Sequence, residues 1–598
     1  MRTQDPVIRP VGLETEYGVL QPGNPYANPV AMASNLVAAY GAVSRPGLEA
    51  DGAPAAAVRW DYEGEDPLAD LRGGRLERAA AHPSMLTDDP GHLAPSGQDD
   101  PQAEHAEDLP PAPWGNRPRP SAAEEALPRA TTTVLANGAR LYVDHAHPEY
   151  SSPEVLTPHD AVVWDRAGEV VAREAMAALA AGAGGVVADE VVLYKNNVDG
   201  KGAAYGSHEN YLVNRALPFD TLAGALIPFL VTRPVFAGAG RVGVGQRSQR
   251  AGFQMSQRAD YVENDIGLQT TFNRPIVNTR DEPHADSRRW RRLHVINGDA
   301  NRFDTPIYLK VASTSLLLWY LERAHERGEG LGQIEALVLT ADPVEEHWAT
   351  SHDVTLRHRL ATAGGPRTAL EIQRGYLAAI RQALVADGFG GEQTPPPVGV
   401  LVADGVEGKQ PPATGSAVAL WDEVLTALED YANALGSEGE GEATTRAARD
   451  VEWVAKLQLC QGLRRRSGSG WDDPRLAALD IQWADLRAGA GLAERVVAAG
   501  RARRLASPEE VEAAAWNAPD GTRAAVRGAA VAQVPQVVGA SWTSLVLDLP
   551  GRQELARLSL PGDVVMAPAQ ARELIELLRA TVSDSIGRLD ASEGQSRP

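Results

Sequence analysis

Residues 130–153 read ATTTVLANGARLYVDHAHPEYSSP, and the alternation inside this stretch decides the fold. Asn137-Gly138 stands between two β-rich runs, which predicts a two-residue type I′ hairpin with positive φ at both positions. In the strand that leaves it, side chains alternate between faces. Arg140, Tyr142 and Asp144 therefore share one face, and Leu141 and Val143 the other. A guanidinium, a phenol and a carboxylate form one row, with His145, His147 and Glu149 just beyond it. This row predicts a functional site on a sheet.

Working outward, residues 11–20 (VGLETEYGVL) predict the first strand. Glu14 and Glu16 are two apart and point to one face. A solvent-facing edge strand gives the same spacing, but few cations stand nearby in sequence to account for a carboxylate pair. Between 44 and 129 the character changes to Ala, Pro, Gly, Asp and Glu, and 88–120 has almost no helical or strand period. Such composition buries too little apolar surface to offset its ordering entropy, which predicts a long, partly disordered insertion. One island inside it, Arg59-Trp60-Asp61-Tyr62-Glu63, sets two aromatics among acids and predicts a segment that docks.

Composition bounds the rest. The 598 residues exceed one ordinary domain. With 57 basic and 79 acidic residues the formal charge is −22, which argues against sequence-independent binding to nucleic acid or an anionic membrane. The single cysteine, Cys460, excludes an internal disulfide and a cysteine-rich zinc site, and fits a reducing compartment. The N-terminus has no apolar signal-like run, and no apolar run approaches the ~20 residues of a membrane span. A soluble, cytoplasmic protein is expected.

Apolar spacing predicts helices over 161–180, 221–231, 369–387, 417–435 and 446–463, with a flexible acidic linker at 436–442. A helical connection over 471–500, a strand run at 541–549 and a closing helix at 568–578 follow. Residues 237–245 contain G-x-G-x-x-G, but Gln246-Arg247-Ser248-Gln249-Arg250 follows where an amphipathic helix would have to start, so a glycine-rich hairpin is predicted. Arg280, Asp281, Glu282, His284 and Asp286 fit either a metal site or a mutually satisfied polar network. Arg288, Arg289, Arg291 and Arg292 form a basic run, read either as a solvated face or as a docking patch for an acidic partner.

Hard oxygen donors from Glu14, Glu16, Tyr142 and Glu149 suit Mg2+, which takes carboxylate and water oxygens together with substrate phosphates. Arg140 on the same face suits a phosphate. Asp144 remains as nucleophile or general base. The residues point to a metal–nucleotide enzyme on an antiparallel sheet and leave its substrate open.

Longer motifs narrow this. Residues 11–18, YVDHAHPEYS (142–151), LYKNNVDGKGAAYGSHENYL (193–212), VNTRDEPHAD (277–286), RRLHVINGDAN (291–301) and SWTSLVLD (541–548) closely resemble the Pup ligase/depupylase family of actinobacteria. Two features resemble its depupylase branch. One is Asp144-His145-Ala146-His147-Pro148-Glu149, where ligases carry Val-Gly-Ser between Asp and His. The other is the insertion holding RWDYEGEDPLADLRG (59–73), which ligases lack. Residues 12–17, GLETEY, are closer to the ligase form, and the insertion is longer than the resemblance leads one to expect.

The resemblance implies an α+β, glutamine-synthetase-like carboxylate–amine ligase fold. A curved antiparallel sheet forms a cradle packed by helices over 1–495, interrupted by the insertion at 44–129, and a small C-terminal α+β domain covers 496–598. Carried over by motif position, Glu14, Tyr142 and Glu149 match magnesium ligands, Arg140, Ser152 and Trp542 match ATP contacts, and Asp144 matches the catalytic aspartate. Glu16 and His208 lie in matching motifs and are assigned to metal or phosphate. Implied cofactors are ATP (or ADP plus phosphate) and Mg2+, and implied partners are the protein modifier Pup and pupylated proteins. No nucleic acid, no membrane and a monomeric state are expected. The implied activity is hydrolysis: deamidation of Pup's C-terminal glutamine and cleavage of the Pup–lysine isopeptide bond in the Pup–proteasome system. A Pup–protein ligase and a catalytically inactive nucleotide-binding regulator of Pup are the alternatives. Pup is acidic, so this acidic chain needs a local basic groove to meet it, and 288–292 is the candidate for part of one.

Overall fold

Strand pairing turns the alternation at 130–153 into the centre of an eight-stranded sheet. The computed structural model describes residues 5–50, 53–82, 85–86, 114–121, 131–199, 202–247, 250–389 and 413–595. The cradle strands are β1 (Val11–Glu16), β2 (Thr132–Val134), β3 (Arg140–Asp144), β4 (His147–Ser151), β5 (Ser207–Asn214), β6 (Asn264–Gly267), β7 (Pro275–Asn278) and β8 (Trp290–Val295). Their order is β6-β7-β8-β5-β1-β4-β3-β2, antiparallel except between β6 and β7. The register sets Tyr142 and Glu16 opposite Glu149, and Arg140 and Glu14 opposite Ser151. It also sets Glu14 opposite His208 and Asp144 opposite His147. Directly opposed residues share a face, so these groups converge on one side of the sheet.

The other side is apolar. Leu13, Leu141, Val143, Tyr150, Tyr211, Val213 and Leu293 are buried there, and helices Pro29–Gly41, Pro158–Ala180 and Asp304–Arg327 pack against the central strands. The helix Pro158–Ala180 starts sharply because the Thr157 hydroxyl accepts from the Asp160 amide and Pro158 needs no partner for a missing N–H. Among the described residues no helix is long and apolar enough to cross a membrane.

The hairpin at Asn137-Gly138 differs from the type I′ expectation. Only Gly138 has positive φ, at 79°, and the Leu135 amide bonds to the Ala139 carbonyl at 2.9 Å, which leaves a three-residue loop, Ala136-Asn137-Gly138. Asn137 is fully buried and donates to the Tyr150 hydroxyl (3.1 Å) and the Ala514 carbonyl (3.0 Å), so its amide fastens the turn to the core. The two-residue hairpin is the next one, His145-Ala146, between β3 and β4, with His145 at φ 52°.

The island docks, and it docks as a strand. Arg59–Trp60 pairs in parallel with Val537–Ala540, one edge of a second sheet completed by Ser544–Leu547 and Leu555–Ser559. On the far edge lies Trp114–Arg117, inside the stretch read as aperiodic. An edge strand needs backbone bonds more than apolar alternation, and here Asp61, 1% exposed, adds ion pairs to Arg117 and Arg557. The expected disorder of the insertion falls largely on 87–113 and 122–130, outside the described residues. Two other expectations shift. The helix Glu440–Ala448 starts inside the segment read as a flexible linker. The first core takes in Ala502, Leu505, Val511 and Ala515, whereas Val526 to Val582 form a second core with Val58, Trp60 and Val134. The cores therefore part between Trp516 and Ala524, not at 495, because the helix Pro508–Trp516 packs on Pro158–Ala180.

Candidate active site

On the polar face, Glu16, Asp144 and Glu149 bring carboxylate oxygens within 4.8 Å of one another. Glu16 and Glu149 are 8% and 2% exposed, and among the described residues neither has a cationic side chain at ion-pair distance. Burial, followed by the charges of Asp144, Glu14 and Glu16, pushes the Glu149 carboxyl well above the usual range, and a hydrogen bond from Tyr142 opposes this only in part. Three clustered hard oxygen donors, two of them without a cationic side chain among the described residues, suit a divalent cation.

A second group joins Glu14 to His208 and His294, again within 4.8 Å. Burial and then the Arg292 charge hold the His294 imidazole well below its ordinary value, leaving the neutral ring that ligates metals. Burial raises Glu14, but the hydrogen bond from His208 and the charge of Arg292 outweigh it, so the carboxyl lies low. The backbone at Gly206 closes in on both groups. Its amide donates to Glu16 Oε1 at 2.8 Å, and a Cβ there would fall 2.2 Å from His208 Nε2.

Asp144 sits at the open end of the row with 27% of its side chain exposed. His145 Nδ1 lies 3.0 Å from Asp144 Oδ1. Burial raises the Asp144 carboxyl, yet the hydrogen bond and charge of His145, with His208 and Arg280, bring it below the usual carboxylate range. The same hydrogen bond raises His145. Next to it, His147 is held elsewhere: its Nδ1 is 3.1 Å from the Tyr17 carbonyl and its ring stacks on Tyr205 at 4.3 Å.

Arg140 lies between rings, with its guanidinium carbon 4.0 Å from the Tyr142 ring centre and 4.2 Å from that of Trp60. Trp60 in turn meets Trp542 edge to face at 5.1 Å. An open cleft of roughly 600 Å³ between the cradle and the second sheet is lined by Glu14, Ser152, His284, Arg292, Arg523 and Trp542. Ser152 shapes its wall, because its hydroxyl accepts from the Leu13 amide and donates to the Pro153 carbonyl.

All the residues expected in the site thus reach one region: the metal candidates Glu14, Glu16, Tyr142, Glu149 and His208, Asp144, and the nucleotide candidates Arg140, Ser152 and Trp542. His294 and Arg292 also belong to it, as does Trp60 of the docked island. The alternation Arg292-x-His294 was the available signal, obscured by reading 288–292 as one patch. The four arginines do not share one face. Arg292 turns into the site to Glu14 (3.2 Å) and Asn210 (2.7 Å), and Arg291 turns the other way to the Arg215 carbonyl. Arg289 pairs with Asp563, and Arg288 is exposed beside Asp286. The 280–286 cluster is a polar network, with Arg280 paired to Glu282 and Arg215 to Asp281.

A mixed α+β cradle whose central antiparallel strands gather two cation-type groups, next to a cleft under a small second sheet, has the carboxylate–amine ligase-like fold. The chain belongs to the Pup-ligase protein family, a family of enzymes, and the match covers residues 9–546. It is 41% identical over 552 residues to the depupylase of Acidothermus cellulolyticus, covering 92% of this chain and 93% of that one. To the Pup deamidase/depupylase of Mycobacterium tuberculosis it is 40% identical over 551 residues, 91% and 92% of the two chains. The solved structure of the Pup ligase PafA of the prokaryotic ubiquitin-like modification pathway, in complex with ADP, superposes with a TM-score of 0.61 at 33% identity, covering 75% of this chain and 90% of that one.

Proposed function

We propose that this protein is an ATP- and Mg2+-dependent amidohydrolase that removes ammonia from a glutamine at the C-terminus of Pup and frees lysine side chains from Pup–protein conjugates. The observation that carries the reading is Asp144, an ionised and partly open carboxylate beside Glu16 and Glu149 and on the same sheet face as Arg140. The names borne by relatives of 40–41% identity favour hydrolysis. The ADP bound by the ligase of known structure favours a nucleotide in the cleft bounded by Ser152 and Trp542.

Glu16, Glu149 and Tyr142, and Glu14 with His208 and His294, are the residues that would hold magnesium. Bound there, the metal neutralises the carboxylates and polarises phosphate and carbonyl oxygens. Arg140 would take a phosphate in its planar fork. Asp144 then attacks the side-chain carbonyl carbon of Pup's last residue, and the C–N bond breaks. The nitrogen leaves as ammonia or as the lysine amine, taking a proton from water. A second water cleaves the resulting anhydride, restoring Asp144 and leaving glutamate on Pup. Arg140 on the same face stabilises the oxyanion of the tetrahedral stage.

Incubation with ATP, glutamine-ended Pup and a pupylated model protein tests the reading. Ammonia and free target are expected. Accumulation of conjugate from glutamate-ended Pup would instead make the chain a ligase, the reading favoured by its likeness to the ligase structure. Binding of nucleotide and Pup without turnover would make it a regulator.

A further inference from the structure

We infer that His145 is a positioning residue for Asp144: its Nδ1–H bond to Oδ1 fixes the carboxylate's rotation and leaves Oδ2 free to react. The inference rests on the proposed use of Asp144 and adds to it a residue that the nucleophile depends on.

The carboxylate of an aspartate turns in a broad torsional well, so an unrestrained Asp144 would present its oxygens over a wide arc. In-line attack requires a narrow one. Of the three clustered carboxylates, Asp144 has an imidazole nitrogen at 3.0 Å, whereas Glu16 and Glu149 have no cationic partner among the described residues. His147 cannot serve this carboxylate with its Nδ1, which faces the Tyr17 carbonyl while the ring stacks on Tyr205.

The tip itself is built around the contact. With Asp144 directly opposite His147, only two residues connect β3 to β4, and the first of them takes φ 52°. That conformation is uncommon for a residue with a side chain, and glycine adopts it freely. A histidine that is 41% exposed has little packing to offset the cost. What it has is the 3.0 Å contact of Nδ1 with Asp144 Oδ1. The imidazole folds back onto the strand end, where the reactive carboxylate stands.

Three substitutions separate the donor from the backbone. His145→Asn keeps the left-handed φ and puts an N–H on Cγ, where the imidazole Nδ1 is attached. His145→Asp has the same shape and φ tolerance but offers an acceptor. His145→Gly keeps the φ and removes the group. With full-length protein, ATP and a pupylated model substrate, H145N should keep kcat within about threefold of wild type, while H145G and H145D lose about tenfold to hundredfold with KM moving less than about twofold. Melting temperature and ADP affinity, measured in parallel, should match wild type for all three. Wild-type kcat in H145G, an H145N as slow as H145D, or a loss confined to KM would each overturn the inference. If H145G fails to fold, the Asn–Asp pair still decides. Both amine release and conjugate formation are followed, so the wild type reports on the hydrolase reading. The variant-to-wild-type ratio, on whichever reaction the wild type performs, reports on His145. A wild type with neither reaction removes both.

Discussion

Replacing Trp60 by alanine should undock the insertion's island without unfolding the protein. Trp60 is 5% exposed, lies 5.1 Å from Trp542 and 4.2 Å from the Arg140 guanidinium, and donates its indole N–H to Glu65 Oε1 at 2.5 Å. Truncating a buried tryptophan costs about 3–5 kcal/mol, a figure that already contains the ring pair and the cation–π contact. The lower end applies here, because a two-residue edge strand can relax into the gap. A loss of about 3 kcal/mol raises the opening equilibrium roughly a hundredfold. The Asp61 amide, which bonds to the Ala540 carbonyl at 2.9 Å, is the reporter: its hydrogen exchange should quicken by about that factor while the main melting transition stays within a few degrees. Glu65→Gln provides a control of opposite sign. Burial, assisted by the Glu282 charge, raises the Glu65 carboxyl to about 7 from its ordinary 4.5. The docked form therefore holds the proton more tightly than the undocked form, and docking stability declines as pH rises from about 4.5 to about 7, by up to about 3 kcal/mol. The glutamine keeps an oxygen for the Trp60 N–H and cannot ionise, so at pH 8 it should slow Asp61 exchange, and below pH 4.5 it should not. Unchanged Asp61 exchange in Trp60→Ala, or an effect of Glu65→Gln that is the same at both pH values, would refute the reasoning.

Asp144→Asn should cut ammonia and lysine release by about a thousandfold or more while nucleotide and Pup binding stay within about threefold; residual turnover above about one per cent would place the chemistry elsewhere. His208→Ala and His294→Ala should each weaken Mn2+ binding at least about tenfold by calorimetry or electron paramagnetic resonance. Unchanged affinity would remove the Glu14–His208–His294 group as a cation site. Burial, then the charges of Arg292, Arg523 and Arg280 against that of Glu282, lowers the His284 imidazole from 6.5 to about 4. The unfolded chain binds this proton first, so stability should fall as pH drops from about 6.5 to about 4, by at most about 3 kcal/mol. His284→Asn suits the local φ of 46° and should flatten that slope in urea titrations at pH 7.5, 5.5 and 4.5.

The site was legible where one rule suffices. Alternation with period two placed Arg140, Tyr142 and Asp144 on one face, and Glu14 with Glu16 on another strand's face, and the register then joined them. Applied to 290–295, the same rule would have placed Arg292 with His294 and dissolved the basic patch, but it applies only once that segment is known to be a strand. Which strand lies beside which is a long-range matter, and no local pattern carries it. Trp114–Arg117 shows the other limit, since an edge strand held by backbone bonds and an Asp61–Arg117 pair leaves no apolar period to read. The helix Pro508–Trp516 shows a third, because an apolar stripe says that a helix is buried but not in which core.

The crowding of Glu16, Asp144 and Glu149 belongs to this long-range class. The residue types are local, but their oxygens come within 4.8 Å only because β1 and β3 flank β4 in one particular register. A slip of one residue in β4 would turn Glu149 toward the helices and Tyr150 into the site, exchanging every side chain between faces. Tyr150, 2% exposed and bonded to Asn137, would lose the partner that fastens the neighbouring turn. The apolar face therefore enforces the repulsive one. Burial of Leu13, Leu141, Val143 and Tyr150 holds three carboxyl groups together, and the crowding shows in the Glu149 carboxyl, which burial and the neighbouring charges of Asp144, Glu14 and Glu16 push well above the usual range.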